Sequence, residues 1–146
     1  MAGSYFQTET YGVTAIDLSN VGTTEKFLGS AIGLQSTLAS AKKLDLRADR
    51  QTYSLKQVFQ MIKASQITGT TSLVISLYSK SAETALTASD KVAEFTVGVA
   101  DVIANGTVGF EVTLPSNCKR YLAIGIKKAA DTALTGNVLF VNKPIR

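Results

Sequence analysis

The sequence predicts an all-β protein, an antiparallel jelly roll or β-sandwich of about eight strands. Two observations lead to this prediction. Several segments alternate apolar and polar residues with a period of two, and turn-forming glycines separate many of them. The 146 residues fit one domain, so residues 1–146 are expected to form a single jelly-roll unit.

The clearest alternation lies in residues 70–80, where Leu73, Ile75 and Leu77 share one face of the predicted strand. Similar patterns recur in three later segments, and weaker ones in three others: 108–115, 120–128, 136–143, 12–18, 58–65 and 92–99. These segments are enriched in Val, Ile, Thr, Tyr and Phe, which favour pleated, half-buried strands. Together they provide the seven or eight strands of the prediction.

Turn residues separate several of these strands. The pairs Thr68-Gly69, Asn105-Gly106 and Thr135-Gly136 each supply a glycine, which adopts positive φ without steric cost. An Asn-Gly pair between alternating hydrophobic segments is a strong hairpin signal. Asn105-Gly106 is therefore predicted to connect two paired strands, the one after Val92 and the one before Pro115.

Two segments do not follow the strand pattern. Residues 1–11 are predicted to form an N-terminal arm, and residues 23–52 a long insertion or arm. Apolar residues near helical spacing occur in the second segment: Phe27, Ala31, Leu34, Leu38 and Ala41. Gly29 and Gly33 oppose a helix there, at about 1 kcal/mol each relative to alanine. A short helix and an arm that folds on a partner are therefore both considered for residues 23–52.

The composition argues against most catalytic chemistry. The chain has no histidine and a single cysteine, Cys118. This excludes Cys-His and Ser-His nucleophile arrangements and most metal sites, so no catalytic residue, metal or cofactor is expected. Cys118 is interpreted as a small apolar residue, with a thiol activated by the two following cations as the alternative. A glycosidase that uses two distant carboxylates also remains an alternative.

Several kinds of partner are not expected. The sequence has no run of 18 apolar residues and no Lys/Arg-rich run, so neither a membrane nor a direct nucleic-acid partner is predicted. The first residues do not have the pattern of a signal peptide, so synthesis inside the cell is expected.

The stretch LPSNCKRYLAIGI, residues 114–126, places Lys119, Arg120 and Tyr121 at the start of an apolar strand. Only 18% of the chain is charged, so two adjacent cations beside an aromatic residue are unusual here. Arginine and tyrosine are enriched at interface hot spots. We predict that these three residues contact a partner. The alternative is that Arg120 pairs with a carboxylate or a carbonyl of its own domain.

Three parts of the sequence resemble the jelly-roll capsid cement, or decoration, proteins of tailed phages, and in particular the small cement proteins on heads of short-tailed Bordetella phages. The shared features are a "T-S-L-x-x-x-L" strand, an "L-P-x-x-x-K-R-Y-L" strand start and a final "T-x-G-x-V" strand. Here they correspond to Thr71-Ser72-Leu73 with Leu77, Leu114-Pro115 with Lys119-Arg120-Tyr121-Leu122, and Thr135-Gly136-Asn137-Val138, where no residue separates the threonine from the glycine. Ile16-Asp17-Leu18 resembles an early "I-D-L-G", with Ser19 in place of the glycine.

This resemblance implies a structural virion protein that is made in the host cytoplasm and binds the outside of the phage head. Its expected partners are the major capsid protein and further copies of itself, as a homodimer or homotrimer. The expected effect is stabilisation of the shell. The segment 23–52 is longer than the corresponding segment in that family, and in this respect the chain departs from the family's pattern. A carbohydrate- or receptor-binding β-sandwich of a virion is the alternative function.

Overall fold

The computed structural model describes residues 12–29, 34–38, 41, 44–45, 56–82, 86–113 and 119–145. These residues form ten strands and one α-helix: β1 (Gly12–Asp17), β2 (Lys26–Leu28), β3 (Leu34–Gln35), β4 (Leu44–Asp45), β5 (Lys56–Lys63), β6 (Ser72–Lys80), β7 (Lys91–Gly98), α1 (Val99–Asn105), β8 (Thr107–Thr113), β9 (Tyr121–Lys128) and β10 (Asn137–Ile145). The predicted N-terminal arm, residues 1–11, and Cys118 lie outside the described residues.

The described strands form two antiparallel sheets. The first sheet has the order β1-β10-β5-β8, and the second has the order β3-β2-β9-β6-β7, with β4 also pairing with β9. The strand pairs are nested along the chain, because β1 pairs with β10, β2 with β9, β5 with β8 and β6 with β7. A ribbon of nested antiparallel pairs wrapped into two facing sheets is a jelly roll, which confirms the predicted fold class.

The main core lies between the two sheets, where the period-two pattern places the apolar side chains. In β6, Leu73, Ile75 and Leu77 are buried, as the sequence predicted for that face. Residues from β9 and from the first sheet complete this cluster, among them Leu122, Ile124, Ile126, Met61, Val138 and Phe140. Burial of one face on each strand fixes the register, because a slip of one residue would turn every apolar side chain outward.

The other face of the second sheet carries a smaller apolar cluster of Phe27, Ala41, Tyr78, Leu86 and Ala123. The rings of Phe27 and Tyr78 meet edge to face, with centroids 5.8 Å apart and an angle of 72° between their planes. Parts of the predicted insertion, residues 23–52, contribute to this cluster. The strands β2, β3 and β4 all fall in that segment, and β2 is one of the nested jelly-roll strands.

The predicted hairpin at Asn105-Gly106 is wrong. The preceding residues form the helix α1, which connects β7 in the second sheet to β8 in the first. Val99 and Val102 of this helix are buried in the main core, and this packing outweighs the local hairpin signal. Gly106 does adopt positive φ, at 75°, but it ends the helix, and its N–H donates to the carbonyl of Val102.

Candidate functional site

Lys119 and Arg120 directly precede β9, Tyr121 begins it, and each of the three is half-buried. The Arg120 guanidinium carbon lies 5.0 Å from the centroid of the Tyr121 ring, a cation–π arrangement. Stacking of this kind holds the planar guanidinium against an aromatic surface while leaving N–H groups at its edge. The structure places these three consecutive residues side by side, and their contact with a partner stays a prediction.

Ser79, at the end of β6, fixes the position of this strand start. The Lys119 N–H donates to the Ser79 hydroxyl oxygen at 2.5 Å, and that hydroxyl donates to the Lys119 carbonyl at 3.2 Å. Ser79 is itself buried. In the sheet, the next residue of β6, Lys80, pairs with Tyr121. A third cation, Lys80, therefore lies beside the predicted pair.

A surface pocket of about 470 Å³ opens at the same place and is called the lysine pocket below. Its described lining comprises the end of β6 and the residues after it, the turn before β7, the start of β7 and a residue just before β9: Ser79, Lys80, Ser81, Ala82, Ser89, Asp90, Lys91, Val92 and Lys119. Three ammonium groups thus share this described lining with one carboxylate, that of Asp90. Together, Lys80, Lys91, Lys119, Arg120 and Tyr121 are called the basic end of the sandwich.

Two acidic residues near the basic end, Asp90 and Glu94, form local contacts. The Asp90 carboxylate accepts the Thr87 backbone N–H at 2.7 Å, which stabilises the short 3-10 turn at Ala88–Asp90. Glu94 accepts a hydrogen bond of 3.0 Å from Lys91, and this bond lowers the pKa of Glu94 below its ordinary value. The Lys91 ammonium also lies 5.8 Å from the centroid of the Tyr78 ring. These contacts order the rim of the lysine pocket.

The chemistry that this surface supports is binding of anions. Ammonium and guanidinium groups attract carboxylates and phosphates, and the nearby serine hydroxyls can donate further hydrogen bonds. Among the residues that the structure describes, no group of three or more potential metal ligands is found. No described helix has the length and apolar character needed to cross a membrane. Cys118, the predicted neighbour of the two cations, lies outside the described residues.

A second polar cluster, beneath the outer face of the second sheet, was missed by the sequence analysis. Tyr78 is buried, and its hydroxyl donates to Glu25 Oε1. Burial raises the pKa of Tyr78 well above its ordinary value, and the bond to Glu25 adds to the shift. The other carboxylate oxygen of Glu25, Oε2, is buried and has no hydrogen-bond partner among the residues that the structure describes.

Gly125 makes room for this carboxylate. An ideal Cβ on Gly125 would lie 2.8 Å from Glu25 Cδ and 2.9 Å from Glu25 Oε2, closer than nonbonded atoms approach. A glycine inside a strand often marks such a close approach. Gly125, within the alternating pattern of β9, was therefore the sequence signal that another group packs closely against this strand. It could not have identified Glu25, which is distant in the chain.

No protein-family model matches the chain, and no curated protein matches it either. Among solved structures, the chain is similar to the Bacillus endospore appendage pili, with 14% identity, a TM-score of 0.40, and coverage of 93% of this chain and 88% of that one. It is also similar to the capsid of equine rhinitis A virus, a picornavirus, with 12% identity, a TM-score of 0.37, and coverage of 97% and 74%.

The cellulose-specific carbohydrate-binding module CBM28 is similar too, with 12% identity and a TM-score of 0.44. That alignment covers 70% of this chain, which spans 63% of the module's length. All three TM-scores are below 0.5, so nothing about the binding or activity of this chain is inferred from these proteins.

Proposed function

We propose that this chain is a capsid decoration protein, a non-enzymatic structural component that attaches to the outside of a phage head through its basic end. The observation that carries this proposal is the grouping of four cations and one tyrosine at a single end of the second sheet. The sequence resemblance supports the same function. Its partner is an acidic region of the major capsid protein, with further copies of the chain as additional partners.

The residues of the resemblance have two kinds of role in the fold. Leu73, Leu77, Leu122 and Val138 are buried in the main core, so this part of the resemblance reflects the jelly roll. Lys119, Arg120 and Tyr121 retain exposed surface. Thr135 and Asn137 of the shared pattern are also exposed but carry no charge, so the proposal assigns the partner contact to the basic residues and the tyrosine beside them.

The proposed mechanism is the addition of a modest contact at many equivalent sites. Complementary charge accelerates correct encounters with the shell and disfavours wrong partners. Apolar surface around Tyr121 contributes about 25 cal/mol for each Å² that becomes buried, before the costs of association. Repetition over a symmetric shell multiplies this contact, and the bound chains resist expansion of the head.

The test measures the binding of purified protein to phage heads that lack it. Arg120→Ala is expected to reduce binding by about 1 kcal/mol or less if the contact stays at a solvated rim, and added salt should reproduce that loss. If the guanidinium is desolvated against a carboxylate, the loss should be several-fold larger. The Arg120→Ala, Tyr121→Ala double variant should lose more than either single variant.

Lys63→Ala is the matched control, because Lys63 is exposed on β5 of the other sheet. It removes one positive charge without touching the basic end, so its binding to heads should match that of the unaltered protein. A melting curve for each variant separates loss of contact from loss of fold. Full binding by a folded Arg120→Ala, Tyr121→Ala variant would show that the basic end does not form the interface. Binding to a glycan array but not to heads would instead favour carbohydrate recognition.

A further inference from the structure

The lysine pocket is a concave site beside the predicted contact residues, and the proposed function does not by itself assign it a ligand. We propose that this pocket binds the side-chain carboxylates of an extended acidic peptide segment, which the shell protein would supply. This inference rests on the proposed function and specifies the chemistry of its partner. The volume of about 470 Å³ is within the range of about 300–1,000 Å³ that is typical of ligand sites.

The charges around the pocket select an anion. Its described lining has three ammonium groups and a single carboxylate. That carboxylate accepts the Thr87 N–H, and one of the ammonium groups, that of Lys91, also pairs with Glu94 outside the lining, which leaves an excess of positive charge. Ser81 and Ser89 add hydroxyl groups, which can donate hydrogen bonds to a carboxylate oxygen. Lysine ammonium groups are mobile point charges that bind carboxylates without the fixed two-pronged geometry of arginine. A carboxylate on a flexible side chain fits this arrangement.

The neighbouring strand favours a peptide as the source of that carboxylate. β7 contributes Lys91 and Val92 to the pocket, and it is the last strand in the order of the second sheet. β7 pairs with β6 on one side, and no described strand pairs with its other side. The backbone groups of an edge strand can pair with an extended peptide, while pockets beside the strand receive alternate side chains.

The test is a titration of the ¹⁵N-labelled full-length protein with a capped hexaglutamate peptide, followed by NMR. We expect shifts at the amides of Ser81, Lys91 and Lys119, and no comparable shifts with capped hexaglutamine. Replacing one half-buried cation of the pocket should weaken binding about two- to fivefold. The Lys80→Gln, Lys119→Gln double variant should therefore weaken binding about tenfold. Lys63→Gln, with the same chemical change on the other sheet, should leave the affinity unchanged.

Equal binding of hexaglutamate by the double variant and the unaltered protein would overturn the assignment, and so would shifts confined to other surfaces. A digalacturonate probe separates peptide from acidic sugar: binding of the sugar in the pocket without binding of the peptide would also overturn the proposal. The head-binding assay distinguishes failure of the proposed function from failure of the pocket assignment. If the unaltered protein does not bind heads, the proposed function fails. If it does, and the Arg120→Ala, Tyr121→Ala variant loses head binding while the Lys80→Gln, Lys119→Gln variant binds equally well, only the pocket assignment fails.

Discussion

The close fit between Gly125 and the Glu25 carboxylate makes Gly125→Ala an informative substitution. The new methyl group would lie 2.8 Å from Glu25 Cδ, so the carboxylate would have to move. Moving it would separate Glu25 from the hydroxyl of Tyr78, a side chain that is only 3% exposed. The substitution therefore removes a buried hydrogen bond without changing either partner of that bond.

Two opposing effects determine the free energy of unfolding of this variant. A buried polar group without a partner costs about 1–3 kcal/mol, and here that group is the Tyr78 hydroxyl. Replacing glycine by alanine inside a strand contributes about 0.5–1 kcal/mol in the stabilising direction. The expected net effect is a destabilisation of up to about 2.5 kcal/mol. In a Glu25→Ala background the first effect is absent, so Gly125→Ala should become stabilising by about 0.5–1 kcal/mol.

The assay is a double-mutant cycle, with urea denaturation of the unaltered protein, the two single variants and the double variant. We expect a coupling free energy of about 1–3 kcal/mol between the two positions. A coupling near zero, with Gly125→Ala equally destabilising in both backgrounds, would refute the reasoning. It would mean that a contact other than the Glu25 carboxylate limits the space at Gly125.

Three further predictions concern the core, the basic end and the response to acid. Leu77→Ala should lower the free energy of unfolding by about 2–5 kcal/mol in urea denaturation, because Leu77 is fully buried in the main core. Ser79→Ala should cost about 1–3 kcal/mol and speed hydrogen exchange at the Lys119 amide, because it removes that amide's hydroxyl acceptor. Hydrogen bonds from Ser19 hold the pKa of Asp17 in the folded protein below its ordinary value of 3.8. The ionised Asp17 carboxylate therefore stabilises the fold above about pH 4, and this stabilisation is lost as the pH falls through the lower folded-state pKa. Asp17→Asn should therefore flatten the acid limb of a stability curve measured by circular dichroism below about pH 4.

The sequence predicted the strands in which apolar residues alternate most clearly along the chain. The segments 70–80 and 120–128 became β6 and β9, because each strand buries one apolar face in the main core. The short strands in residues 23–52 could not be predicted in this way. Strands of two or three residues are too short to show a period, and β2 and β4 form because β9 provides their hydrogen-bond partners.

Asn105-Gly106 shows how tertiary packing can override a local signal. The pair carries the residues of a hairpin turn, but the buried valines of α1 favour a helix that crosses between the sheets. The glycine then serves as the helix end instead of the turn. Local sequence correctly indicated positive φ at Gly106, while the connection itself depended on contacts that are distant in the chain.

The candidate site likewise combines residues that the sequence alone could group with residues that only the fold brings together. Lys119, Arg120 and Tyr121 are consecutive, so their proximity could be predicted from sequence alone. Lys80 joins them only because β6 and β9 pair in a register that aligns Lys80 with Tyr121. Lys91 joins through the pairing of β7 with β6. The number of cations at the basic end therefore depends on sheet topology.

The central claim is that the chain attaches to the outside of a phage head through the basic end. A cryo-electron microscopy reconstruction of heads that carry the protein would test it most directly. The account predicts jelly-roll density on the outer surface, with the start of β9 at Arg120 and Tyr121 facing the shell. Density with the far end of β9, at Lys128, facing the shell would contradict the claim, and so would a head without this protein on its surface.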